Sequence, residues 1–166
     1  VATILDTKGP EIRIKSFQEK SVELTPGESF TLTTADTPGD QTRVSVTYDK
    51  LHQEVEPGQQ ILIDDGLVAI RVDRIEGADI VCTVENGGAL SANKSINIPG
   101  AHIQLPALTE RDAEDIRFGV ENDFDFVAAS FVRRAADVEA IRAVLHECGG
   151  DHVKIIAKIE NQEGVD

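Results

Sequence analysis

The residues best placed to do chemistry are Lys158 and Glu160, which close the run Lys154-Ile155-Ile156-Ala157-Lys158-Ile159-Glu160. In an extended segment side chains alternate faces, so Ile156, Lys158 and Glu160 share one side while Ile155, Ala157 and Ile159 share the other. A lysine and a carboxylate two residues apart stand about 7 Å from each other. Both can converge on one small anion, the lysine directly and the carboxylate through a metal. If the strand is parallel, this is its C-terminal end, where α/β sheets and barrels place ligands. Taken alone, the pair also reads as a solvated Lys-Glu contact worth little. A second polar group, Asp6-Thr7-Lys8-Gly9-Pro10-Glu11-Ile12-Arg13, follows the apolar start Val1 to Leu5. Its Gly-Pro centre must break regular structure, so these groups too cluster just past a strand end.

The elements that must position them fall into two patterns. Residues 11–17, 22–24, 29–34, 43–48, 60–63, 67–74, 80–85 and 95–98 read as short strands separated by turns such as Thr25-Pro26-Gly27, Asp64-Asp65-Gly66 and Asn86-Gly87-Gly88. Val68, Ile70 and Val72 alternate with Ala69, Arg71 and Asp73, as in a half-buried antiparallel strand. Many short strands at this spacing predict a small barrel or sandwich. Asp64-Asp65-Gly66 reads as a hairpin turn despite its resemblance to a metal site.

After Leu105-Pro106 the period changes. Thr109-Glu110-Arg111-Asp112 predicts a capping box, and Ala113, Ile116 and Val120 mark a helical face. Residues 124–131 read as a buried strand. Ala135, Val138, Ile141 and Leu145 mark a second helix that Gly149-Gly150 stops. Helix, strand, helix, strand is the rhythm of a parallel α/β structure. A β-rich domain inserted between a first strand and its helix is the economical architecture.

Composition bounds the function. At 40% hydrophobic and 28% charged the 166 residues can build a core. No run approaches the roughly 20 apolar residues that cross a bilayer, and the first residues lack the basic flank of a signal peptide. These features predict a soluble, cytoplasmic protein that binds no membrane. A net charge of −14 argues against nucleic acid as partner. Small phosphorylated substrates remain compatible if basic groups or a divalent metal are focused in one cleft. Cys82 and Cys148 read as free thiols, in keeping with a reducing compartment. His52, His102, His146 and His152 sit in unrelated contexts and attract no catalytic assignment. The absence of Met, with a strand at residue 1, predicts an excerpt of a longer chain.

Seven stretches resemble the pyruvate kinase family, in order and across essentially the whole chain. They are Leu5-Asp6-Thr7-Lys8-Gly9-Pro10-Glu11-Ile12-Arg13, Asp64-Asp65-Gly66, Asn97-Ile98-Pro99-Gly100, Leu105-Pro106-Ala107-Leu108-Thr109-Glu110-Arg111-Asp112, Phe118-Gly119-Val120, Ala129-Ser130-Phe131-Val132-Arg133 and Lys158-Ile159-Glu160-Asn161. The resemblance implies a fold of α/β plus all-β type: part of a (β/α)8 barrel, its third to fifth strands, with an inserted small β-barrel lid domain. Residues 1–9 would be a barrel strand and active-site turn, 10–105 the lid, and 106–166 a helix-strand-helix-strand segment of the barrel. It implies phosphoryl transfer between phosphoenolpyruvate and ADP, giving pyruvate and ATP, with Mg2+ (or Mn2+) and K+, in a homotetrameric parent.

Residue by residue, the resemblance makes Lys158 the lysine that stabilises the phosphoryl group in flight. Glu160 becomes one Mg2+ ligand, Asp6 and Thr7 K+ ligands, and Glu11 the acidic residue that accompanies K+ dependence. Arg13 and Lys94 become nucleotide-phosphate contacts, and Ser130 a residue near the substrate. The family's upstream strands and its second Mg2+ carboxylate have no counterpart here, so this chain alone is expected to be inactive. The alternatives are an isolated lid acting as a weak nucleotide-binding module, and a non-catalytic interaction domain.

Overall fold

The computed structural model describes residues 1–101 and 103–165, so His102 lies outside the described residues. In chain order the elements are β1 (Ile4–Asp6), β2 (Ile12–Arg13), β3 (Ser21–Leu24), β4 (Ser29–Thr33), β5 (Arg43–Ser45), α1 (Leu51–Glu54), β6 (Gln60–Ile63), β7 (Val68–Glu76), β8 (Asp79–Asn86), β9 (Gly88–Ser91), β10 (Ser95–Asn97), α2 (Glu110–Glu121), β11 (Phe126–Ala129), α3 (Ala135–Glu147), β12 (Lys154–Ala157) and α4 (Gln162–Val165). They form two compact units, residues 12–104 and residues 1–11 with 105 onward. No helix among the described residues is long and apolar enough to cross a membrane.

The β-rich unit is a seven-stranded sheet in the order β2-β10-β6-β7-β8-β4-β5, with β3 and β9 paired separately. Its two edges meet. Ile14, just past β2, bridges Val46, just past β5, and Lys15 N–H donates to the Ser45 carbonyl while Thr47 N–H donates to that of Arg13. Curling lets alternate side chains of every strand share one interior, so Ile14, Phe30, Leu32, Val44, Leu51, Ile61, Ile63, Ile70 and Ile80 are all fully buried. Of the alternation expected in β7, Val68, Ile70 and Val72 lie inside and Arg71 and Asp73 outside, but Ala69, expected on the outer face, is buried as well, where the pairing with β8 shifts register between Ala69 and Ile70. Residues 64–67 turn β6 back on β7 as an antiparallel hairpin.

Three local readings of this unit are corrected. Residues 11–17 do not form one strand: only Ile12–Arg13 pairs with β10, after which Ile14 and Phe17 bridge different neighbours and the ladder is interrupted. The strand expected at 43–48 stops at Ser45 for the same reason. Strand β9 was not anticipated, because it opens on glycine and carries one large apolar residue, Leu90. The glycine before it is obligatory, since a Cβ at Gly87 would lie 2.1 Å from the Leu24 carbonyl oxygen. Helix α1, at four residues, is too short to show a period.

The second unit is a parallel three-stranded sheet, β1-β11-β12, with α2 and α3 on one face. The register aligns Leu5, Val127 and Ile155 in one row. That row packs with Ile116, Ile141 and Leu145, the helical faces read from the 3.6-residue period; Ala135 alone of those marked lies exposed. Helix α2 starts on the expected capping box: Thr109 Oγ1 accepts from Asp112 N–H, and the Asp112 carboxylate accepts from Thr109 N–H, which is worth about 1 kcal/mol. Helix α3 stops where Gly150 N–H donates to the Leu145 carbonyl at 2.7 Å.

The sheet's other face carries Ile4, Asp6, Ala128 and Ile156, with Ile4 53% and Ile156 40% exposed. The strand expected to run through Ile159 ends at Ala157, so of Ile155, Ala157 and Ile159 only Ile155 reaches the core.

Candidate active site

Three parallel strands end together, and the polar residues stand at those ends. Asp6 is the last residue of β1, Ser130 follows β11, and Lys158 follows β12. The backbone beyond the strands is still held, with Lys158 N–H donating to the Ala129 carbonyl at 2.9 Å and Val132 N–H to the Lys158 carbonyl at 3.1 Å. The Lys158 amino group lies 2.8 Å from Asp6 Oδ1 and 3.9 Å from Glu160 Oε1, its side chain about two-thirds covered. Glu160 is fixed by its other oxygen, Oε2, which accepts Phe131 N–H at 2.9 Å. To present that amide Phe131 adopts φ 57°, a left-handed conformation that costs a bulky residue about 1 kcal/mol or more. Strain of this kind is retained where the surroundings over-determine it. Phe131 was singled out in sequence only as part of a motif; nothing local to it announces its backbone.

Thr7 and Ser130 are buried and interlocked. Thr7 Oγ1 donates to the Ala128 carbonyl at 3.3 Å and accepts Ser130 N–H at 3.2 Å. Ser130 Oγ lies 2.5 Å from the Thr7 carbonyl and 3.2 Å from Asp6 Oδ1. A hydroxyl has one proton, so the shorter contact is its hydrogen bond. The next turn is held just as closely. A Cβ on Gly9, at φ +70°, would stand 2.8 Å from Ser130 Cβ, so only glycine fits. Gly9 N–H donates to Asp112 Oδ1 at 3.1 Å. Glu11, its side chain nine-tenths buried, approaches Lys8 to 4.0 Å.

Arg13 and Lys94 come together in the β-rich unit. Arg13 pairs in register with Ser95, and Ile14 N–H donates to the Lys94 carbonyl at 2.9 Å. The Arg13 guanidinium donates to the Asn93 carbonyl at 2.5 Å. Lys94 Nζ lies 2.9 Å from Asp64 Oδ2. Asp64, read in sequence only as a turn residue, is thus also the partner of Lys94. The pairing of Ile96 with Ile63 across β10 and β6 brings it there.

Among the described residues no three His, Cys, Asp or Glu side chains converge as a metal centre. Mg2+ needs only one or two protein carboxylates beside substrate oxygens and water. Glu160, anchored through Oε2 and with Oε1 beyond hydrogen-bond distance of Lys158, suits one such place. For K+ the hard oxygens of the Asp6 carboxylate and of Thr7 suit: the Thr7 hydroxyl donates to the Ala128 carbonyl and accepts Ser130 N–H, the Thr7 carbonyl accepts the Ser130 hydroxyl, and each of these two oxygens keeps a second lone pair. His52 contacts Thr34, and His146 contacts Asp151 at the surface. Cys82 and Cys148 are free thiols. Burial, with a smaller contribution from Asp73, pushes the Cys82 thiol up to about 12.

A family model described as "Pyruvate kinase, barrel domain" matches residues 1–166. The pyruvate kinase of Clostridium acetobutylicum is 50% identical over 167 residues, covering 100% of this chain and 35% of that protein. That of Clostridium perfringens is 46% identical, covering 99% and 35%, and that of Sporosarcina psychrophila 48% identical, covering 100% and 29%. The chain therefore spans about a third of the length of the curated relatives it matches.

Proposed function

The chain belongs to the pyruvate kinase family, and from that premise we propose that it is the segment of a phosphotransferase that carries the transferring lysine. The full-length protein moves a phosphoryl group between phosphoenolpyruvate and ADP, giving pyruvate and ATP. The observation that carries this reading is Lys158 held at a strand end between Asp6 and Glu160. A loose phosphoryl-transfer transition state spreads charge over its equatorial oxygens, and a positioned ammonium at a strand end meets it. In the resting site Asp6 occupies the Lys158 amino group; an arriving phosphoryl group takes its place. Ser130, locked to Thr7, shapes the floor on the same side. Mg2+ (or Mn2+) held by Glu160 and K+ held by Asp6 and the Thr7 carbonyl would neutralise charge on the phosphate oxygens. Glu11 is the residue that sets K+ dependence. Arg13 and Lys94 bind nucleotide phosphates, Lys94 exchanging Asp64 for them.

In this reading residues 1–9 and 106–166 are the third to fifth strand segments of a (β/α)8 barrel and 10–105 an inserted β-barrel lid, whose meeting edges support the closure. The parent is a cytoplasmic homotetramer that binds neither nucleic acid nor membrane. This chain by itself is inactive, because one Mg2+ carboxylate and most of the barrel lie outside it.

The test is phosphoryl transfer by the full-length enzyme, with and without K+, comparing wild type with Lys158→Met. A fall of about a hundred- to a thousandfold is expected in the variant, the scale of losing one preorganised transition-state donor. Survival of the rate would remove Lys158 from its role. The adjacency of Arg13 and Lys94 favours one second reading, a nucleotide-binding module confined to residues 12–104. Titrating this chain with ADP and Mg2+ while following those two positions by NMR tests it; unmoved signals would end it.

A further inference from the structure

We infer that Asp112 is a positioning residue for the cation-binding turn, and that its capping of α2 is only half of its work. The inference rests on the proposed K+ role of Asp6 and Thr7 and adds to it the residue that holds their turn in place. Asp112 is fully buried, and its two oxygens face different parts of the chain. Oδ2 accepts from Thr109 N–H at 3.1 Å and from Thr109 Oγ1 at 2.5 Å, which is the helix cap. Oδ1 accepts from Gly9 N–H at 3.1 Å. Capping needs the first oxygen alone. The second fastens residues 7–11 to a helix far away in sequence.

Backbone bonds hold the two ends of that turn, Thr7 N–H to the Ala128 carbonyl and Glu11 N–H to the Gly9 carbonyl, each at 3.0 Å. Glycine at φ +70° is conformationally permissive, so residue 9 would wander if only local preference held it. Two tertiary contacts fix it instead: close approach to Ser130 and the hydrogen bond to Asp112. Ser130 in turn hydrogen-bonds the Thr7 carbonyl. Asp112, Gly9, Ser130 and Thr7 therefore form one chain of contacts that aims the Thr7 carbonyl and sets where Glu11 follows.

The experiment compares Asp112→Asn with Thr109→Ala in the full-length enzyme. An asparagine has one acceptor oxygen where aspartate has two; the two Thr109 donors hold that oxygen at the cap, and the amide NH2 left facing the Gly9 N–H cannot accept from it. The alanine variant removes the cap hydroxyl and leaves Oδ1 on Gly9. Two readouts are taken: the rise of Tm with KCl against the same concentration of tetramethylammonium chloride, and the K+ concentration for half-maximal activity. Asp112→Asn is expected to need about tenfold more K+ in both, the scale of one lost buried hydrogen bond, while Thr109→Ala loses stability but keeps the wild-type K+ response. Equal K+ responses in the two variants would overturn the inference, since a purely capping role predicts that equality. A wild type indifferent to K+ would instead strike the cation reading itself. If Asp112→Asn does not fold, hydrogen exchange at the Gly9 amide of the wild type decides. Protection that increases with K+ supports the inference, and protection that does not respond overturns it.

Discussion

The two units of this chain meet the same requirement, burial of apolar side chains, in opposite ways. In residues 12–104 the sheet curls until Ile14 and Val46 bridge its edges, and residues such as Phe30, Leu32, Ile61 and Ile80 are fully enclosed. In the other unit a three-stranded sheet covers one face with α2 and α3 and leaves Ile4 and Ile156 on the other in contact with water. The first unit's core is complete within the chain. The second is half a sandwich, and its strand ends hold Asp6, Ser130, Lys158 and Glu160. The lesson is that enclosure of the core and richness in candidate chemistry are separated: the candidate site residues sit on the unit whose sheet leaves one face open to water.

The sharpest way to break that comparison is by truncation. Phe30→Ala should cost this chain about 3–5 kcal/mol in urea unfolding of the β-rich unit, the price of a cavity in a closed core. Asp137→Ala comes next. It removes the carboxylate to which Arg133 N–H donates at 2.9 Å and its guanidinium at 3.4 Å, both side chains being under 10% exposed. A loss of roughly 3 kcal/mol is expected, because one partner of a buried pair is deleted; a loss under about 1 kcal/mol would show that the second unit is too loose to hold it. Ile156→Ala, on the bare face, should cost this chain less than about 1 kcal/mol. The same change should cost distinctly more in the full-length protein, if further strands cover that face. Equal losses for Phe30→Ala and Ile156→Ala in this chain would erase the distinction between the units.

A smaller effect sharpens the comparison through pH. Tyr48 donates to Glu54 Oε1 at 2.7 Å. Burial first, then this carboxylate, pushes its phenol from the ordinary 10.0 up to about 12. A folded value above the unfolded one means that the stabilisation is complete below pH 10 and is lost as pH rises toward 12. Stability of the β-rich unit should therefore fall between those values, and Tyr48→Phe should flatten that part of the profile. An unchanged slope in the variant would dissociate Tyr48 from it.

Much of the local structure was legible in advance. Thr109 and Asp112 announced the start of α2, Ile116 and Val120 its buried face, and Gly149-Gly150 the end of α3. The alternation of Val68, Ile70 and Val72 marked the inward face of β7. These signals depend on neighbours within a turn of helix or a few residues of strand, so the chain states them directly. What failed was whatever depends on a distant partner. The strand expected at 11–17 broke because Ile14 and Phe17 pair elsewhere, and β9 exists because β3 is there to receive it.

The same division runs through the candidate site. Lys158 and Glu160 drew attention because an apolar run hands over to two charges, and Asp6 because it precedes a Gly-Pro turn. Residue types and spacing were enough for that. That Asp6 and Lys158, near opposite ends of the chain, stand 2.8 Å apart, that Phe131 takes a left-handed backbone to hold Glu160, and that Asp112 grips Gly9 were decided by the order and register of three parallel strands. Side-chain chemistry is a property of each residue and survives in any conformation. Proximity is a property of the pairing, and the free energy that selects one pairing is gathered over the whole core.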